Sequence, residues 1–151
     1  MSTVDQRRPR RRRRRAAPLL GALLRLAWAQ VRRQMALDVA AAGFDDLQDA
    51  HLTVFQYPGP DGLRPVDLAR QIRMSRQATN YLIVQLEDLG YLERRSEAES
   101  GRRVYLTGRG KRVMKAIQAS VRQFELRAGR RVGPRNFDMF MQVLRTMAGE
   151  R

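Results

Sequence analysis

The chain has 151 residues, 43% of them apolar, with 30 Lys and Arg against 15 Asp and Glu for a net charge of +15. That length supports one domain with a real core, and the charge favours polyanions, meaning nucleic acid or an anionic membrane surface. There is no Cys and a single His, which excludes a disulfide framework, a cysteine zinc site, thiol redox sensing and a multi-histidine metal site.

Residues 1–15 hold 8 Arg and 1 Asp, so the first residues carry +7 and the remaining body +8. An arm over 1–17 with no apolar period reads as disordered. Its basic residues precede the run AAPLLGALLRLAWA, and Ala27-Trp28-Ala29 imitates a signal-peptide cleavage site. Against secretion, Arg25 interrupts the run. Leu20, Leu24, Ala27, Val31, Met35 and Val39 also continue at steps of three and four, the period of one helix over 19–42 ended by Gly43. No stretch approaches the ~20 apolar residues of a membrane span, and cytoplasmic residence is expected.

A second helix is expected over about 46–56, with Leu47, Ala50, Val54 and Phe55 inward, followed by turn chemistry at residues 57–62 (YPGPDG). Pro65 suits the first turn of a third helix and Asp67 its positive end. Arg73 and Met74 make a turn, and Ser75 is a good N-cap for a fourth helix closed by Gly90. In that helix Thr79, Leu82, Ile83, Leu86 and Leu89 form one face, and Arg76, Gln77, Asn80, Tyr81 and Val84 the other. Tyr91–Arg95 and Arg102–Leu106 read as short strands joined by SEAESG. Thr107 then caps a fifth helix of about 108–129, broken by Gly129 and Gly133-Pro134, and a sixth covers 135–148 with Phe137, Phe140, Met141, Leu144 and Met147 inward.

Helix, turn, amphipathic helix and basic hairpin over 65–110 make a winged helix-turn-helix, a device for seating one helix in the major groove of DNA. The fold class expected is mainly α with a small β wing, six helices and a two-stranded hairpin. The apolar stripes of the first and last helices are free to pair with each other or across a two-fold axis. On the fourth helix, Gln77 and Asn80 can make paired hydrogen bonds to adenine and Arg76 to guanine. Ser75 and Tyr81 flank them. Arg94, Arg95, Arg102 and Arg103 make the hairpin basic, with Arg102 and Arg103 nearest the tip for phosphate or minor-groove contact. Read alone, such residues are an ordinary solvated surface; it is their convergence on one docking device that favours DNA.

Three segments, FDDLQDAHLTVFQ from Phe44, PVDLARQIRMSRQATNYLIVQLEDLGYLERR from Pro65 and LTGRG from Leu106, resemble the MarR family of bacterial regulators over about residues 20–147. The resemblance implies a homodimer built through N- and C-terminal helices. Behind the arm at 1–17, the chain is then expected to divide into a dimerisation helix at 18–44, a DNA-binding region at 45–110 and C-terminal dimerisation helices at 111–151. The resemblance also implies a pseudo-palindromic operator, repression by promoter occlusion, and release by a small, often aromatic, effector near the dimer interface. Two departures from the family pattern stand in the wing. Ser100 falls near the place of a bracing Asp, leaving that task to Glu99 if to any residue, and the wing is about two residues shorter. The Arg-rich arm is not a typical family feature.

Trp28, Met35, His51 and Phe55 are candidates to line an effector pocket, the bland alternative being a core histidine and a packed seam. No base–nucleophile pair surrounds the one His, so no enzyme, cofactor or metal is expected. The arm suits nonspecific phosphate contact, or is a solubilising tail or extra sequence from a misplaced start. It leaves a second reading open, a nucleoid-associated protein that coats DNA without sequence preference. An RNA- or ribosome-binding role is disfavoured because no aromatic stacking face is visible.

Overall fold

The computed structural model describes residues 17–55, 62–97 and 101–149. Among these, six helices and one hairpin follow in the order α1 (Leu20–Ala41), α2 (Asp49–Val54), α3 (Pro65–Ile72), α4 (Arg76–Asp88), β1 (Leu92–Glu97), β2 (Gly101–Leu106), α5 (Gly108–Val132) and α6 (Pro134–Ala148). The Arg-rich arm, most of the turn at 57–62, and Glu99 and Ser100 lie outside the described residues. No helix among the described residues is long and apolar enough to cross a membrane.

The elements end where their residues allow. Gly43 and Gly90 leave α1 and α4 at φ +91° and +76°, the left-handed region a Cβ disfavours. Ser75 Oγ accepts from the Ala78 amide at 3.1 Å and Thr107 Oγ1 from the Gly110 amide at 3.1 Å, so each N-cap satisfies an amide its helix cannot. The α3–α4 turn depends on Arg73 at φ +55°, a left-handed residue that is not glycine.

The core gathers Met35 and Val39 of α1, Leu52 and Phe55, Leu68, Ile83 and Leu86, Tyr91, Val104 of β2, and Val113 and Ile117 of α5. Each such side chain, fully buried, contributes about 1.5–3 kcal/mol. β1 and β2 pair antiparallel from Leu92 opposite Leu106 to Glu97 opposite Gly101. Leu63 bridges Val104 in a short third rung, which ties the α3 approach to the wing.

Four expectations need correction. Helix two begins at Asp49, because Asp46 is drawn away: it accepts from the Tyr91 hydroxyl at 2.5 Å and pairs with Arg109 at 2.8 Å. Ala50 is exposed; the shorter helix turns His51 and Leu52 inward along with the expected Val54. Gly129 does not break α5, which runs on to Val132 and packs there against the Phe137 ring of α6. The stripe of α6 is only half covered within one chain, with Phe137, Met141 and Leu144 half-buried. Phe140 and Met147 are exposed, and no residue of α6 is buried.

Candidate nucleic-acid interface

α3 and α4 are joined by Arg73 and Met74, and the buried face of α4 (Thr79, Leu82, Ile83, Leu86) fixes its rotation against the core. That rotation leaves Arg76, Gln77, Asn80 and Tyr81 on the outer face, all exposed, together with Val84. Arg76, Gln77 and Asn80 join Pro65 and Val66 around a concavity of about 390 Å³ between the start of α3 and the outer face of α4. Ser75 sits at the N-terminus of α4, where its oxygen accepts as the cap and positions the helix; the cap bond does not use its hydroxyl proton.

The hairpin arginines separate into distinct environments. Arg102 is exposed at the tip-proximal end of β2. Arg103 Nη2 donates to the Gly62 carbonyl at 3.0 Å, bracing the wing against the segment before α3. Arg95 pairs with Glu93 and lies 4.8 Å over the Tyr105 ring. Arg94 turns back to α4, with Nη2 donating to Asn80 Oδ1 at 3.1 Å and Nε 3.2 Å from Glu87 Oε2. The structure therefore joins Arg94 to the outer face of α4 and leaves Arg102 exposed near the tip. Beneath the α3 N-terminus, Asp67 accepts from Arg64 at 2.6 Å. That bond and the nearby guanidinium groups of Arg64, Arg70 and Arg103 hold its carboxyl below the usual range.

The hinge between α4, wing and α5 is a polar knot that sequence reasoning missed. Tyr91 is fully buried, its hydroxyl donating to Asp46 and Arg109 lying 4.3 Å over its ring. Burial, reinforced by the Asp46 carboxylate, pushes its phenol up to about 12. Arg109 also donates to the Leu89 carbonyl at 3.0 Å, and Thr107 Oγ1 to the Gly90 carbonyl at 2.7 Å. The available signal was the LTGRG run itself.

Of the four residues expected around an effector, three converge. Trp28, Met35 and Phe55, with Val31, Met114, Ile117 and Val121, wall a cavity of about 530 Å³ between α1 and α5, with Gln118, Arg122 and Glu125 supplying its polar groups. His51 is not on that wall. Its Nδ1 accepts from the Gln48 amide at 3.1 Å, which leaves the proton on Nε2 to donate to Gln85 of α4 at 3.1 Å. It is a buried cap residue, and its link to Gln85 ties α2 to α4.

Two helices joined by a tight turn, the second with an exposed polar face, and a paired hairpin beside it define a winged helix-turn-helix protein. Residues 46–103 match the model of the MarR family. The solved structure of the MarR family protein Rv2887 of Mycobacterium tuberculosis in complex with DNA is similar at a TM-score of 0.66 and 26% identity, over 87% of this chain and 98% of that one. The same protein in complex with p-aminosalicylic acid superposes at 0.64 and 27%, over 87% and 99%. The oxidized form of MarR from E. coli shares the fold at 0.72 and 17%, over 87% and 96%. No curated protein sequence matches the chain. Residues 46–103 are thus similar to the MarR family, and the chain has the fold of the MarR-family proteins it resembles.

Proposed function

We propose that the protein is a dimeric, sequence-specific DNA-binding regulator that represses by occluding a promoter and is released by a small aromatic acid. The observation that carries this reading is the outer face of α4, where Arg76, Gln77, Asn80 and Tyr81 stand exposed together beside a basic wing. Donors and acceptors in the first two turns of such a helix are the groups that reach base edges. Arg102 is the wing residue assigned to the DNA backbone or minor groove, with Arg95 and Arg103 shaping the wing that carries it. The relative Rv2887 binds DNA through the same fold.

Dimerisation is proposed on the apolar surface that one chain leaves uncovered. Leu20, Leu23, Leu26 and Trp28 of α1 and Met139, Phe140, Val143 and Met147 of α6 are all exposed. Exposed large apolar side chains in such number on two helices favour an interface. A two-fold pair of α4 helices then reads half-sites about one helical turn apart. The effector site is assigned to the cavity walled by Trp28, Met35 and Phe55, with Arg122 available to a carboxylate. Rv2887 in complex with p-aminosalicylic acid and with salicylic acid supports that chemistry.

The test is selection of bound fragments from the source genome, followed by footprinting with and without salicylate. A pseudo-palindromic footprint over a promoter, weakened by the aromatic acid, is expected. Uniform coating of all fragments would favour the nucleoid-associated reading instead.

A further inference from the structure

The bond between Arg94 and Asn80 restricts what Asn80 is able to recognise. Arg94 stands in β1 opposite Val104, yet its side chain crosses to α4 and reaches two residues of that helix. Nη2 donates to Asn80 Oδ1 at 3.1 Å, and Nε lies 3.2 Å from Glu87 Oε2 in an ionic contact without hydrogen-bond geometry. Asn80 and Glu87 are seven residues apart, two turns along one helix face, so the guanidinium spans both. The Arg94 side chain is 23% exposed and that of Glu87 25%, whereas Asn80 is exposed. The pair is therefore screened from water on its inner side and open outward.

A guanidinium has donors only, so the amide atom it meets is the oxygen. The chemistry thus fixes which way the Asn80 amide points: Oδ1 toward Arg94 and Nδ2 away from it. Paired recognition of adenine uses both atoms, the oxygen accepting from N6 and the nitrogen donating to N7. With Oδ1 already engaged, an adenine amino group would have to share it with a cation that repels the amino group's positive edge. Guanine presents two acceptors, O6 and N7, and no major-groove donor. A lone amino group suits that edge.

We infer that Arg94 is a specificity-setting positioning residue: by holding Asn80 Oδ1, it makes Asn80 a donor that reads guanine rather than adenine. The inference rests on α4 being the recognition helix, and it replaces the adenine pairing expected of Asn80 from sequence. Arg94 acts through Asn80 and itself touches no base.

Randomised duplexes are selected with the full-length wild-type chain, Asn80→Ala and Arg94→Met, and the melting of each protein is recorded. Asn80→Ala is expected to flatten one position in each half-site, and the wild type to prefer guanine there over adenine by roughly fivefold or more. Arg94→Met, with the oxygen released, is expected to move that position toward adenine by about tenfold. A general loss of affinity without that shift is what a merely structural residue would give, and it overturns the inference. So does an Asn80-dependent position that is adenine in the wild type. A wild-type selection with no motif at all sinks the recognition reading, and this inference with it. Should Arg94→Met fail to fold, wild-type protein on sites carrying guanine analogues at that position still decides. Removing each acceptor in turn, N7 in 7-deazaguanine and O6 in 2-aminopurine, is expected to weaken binding roughly fivefold for the one that Asn80 meets, and unchanged binding with both overturns the assignment.

Discussion

Gly110 is the third residue of α5, and a methyl group there meets the root of the wing. An added Cβ would stand 2.2 Å from the Tyr91 carbonyl oxygen and 3.2 Å from Leu106 Cδ2. Backbone cannot rotate out of the way as a side chain can, so the start of β1 and the start of α5 must separate by roughly an ångström, the kind of backbone shift overpacking forces. That carbonyl also accepts from the Thr107 amide and from Thr107 Oγ1, both at 3.1 Å, and the shift loosens both bonds. Overpacking costs about 1–3 kcal/mol and a weakened hydrogen bond about 1 more. The better helix propensity of alanine returns at most about 1. Gly110→Ala should therefore destabilise the protein by about 1–3 kcal/mol. Gly108→Ala is the control, because its methyl would meet nothing nearer than Arg112 Nη1 at 4.0 Å. That change should be neutral or stabilising by up to ~1 kcal/mol. Urea unfolding at one fixed protein concentration measures both, read as midpoint shifts at constant slope. Equal stability of the two variants would refute the close approach of α5 to Tyr91.

Three further outcomes are expected. Arg76→Ala should cost about 1–3 kcal/mol on a selected site and little on random duplex, measured by titration of both; equal losses would remove Arg76 from base reading. Because the Tyr91 phenol is raised from 10.0 to about 12, the folded state favours its protonated form. That stabilisation is intact below pH 10 and is lost as pH rises toward 12. Between pH 9 and pH 12 the wild type should lose ~2–3 kcal/mol more stability than Tyr91→Phe, and parallel curves would deny the buried Tyr91–Asp46 bond. Phe140→Glu, at a site 47% exposed in one chain, should leave a folded monomer by light scattering, whereas an unchanged oligomer would move the dimer seam elsewhere.

The sequence was most legible where a local rule and the tertiary fold agree. Pro65 opens α3, Ser75 and Thr107 cap α4 and α5, and the four- and three-residue spacing of Thr79, Ile83 and Leu86 sets the rotation of α4 that exposes Arg76, Gln77 and Asn80. It was less legible where a distant partner decides. Asp46 looked like a helix start, but Tyr91 and Arg109, 45 and 63 residues away, claim its carboxylate and delay α2. Gly129 looked like a breaker, but α5 runs through it and packs there against the ring of Phe137. His51 looked like a pocket residue because it shares α2 with the approach to Phe55; its ring instead serves Gln48 and Gln85. Of the four wing arginines, position alone marked Arg102 and Arg103 as nearest the tip. Only their partners show Arg94 turned onto Asn80 while Arg102 stays exposed.

The central claim is that the face of α4 reads sequence, and a competition titration tests it most directly. Full-length protein is bound to a duplex selected from the source genome and challenged with random duplex at fixed salt, since affinity without the salt concentration has no meaning here. A regulator of this kind should prefer its own site by ~10³ or more. A preference within about tenfold would contradict the account, because charge on the wing and body would then explain all of the binding.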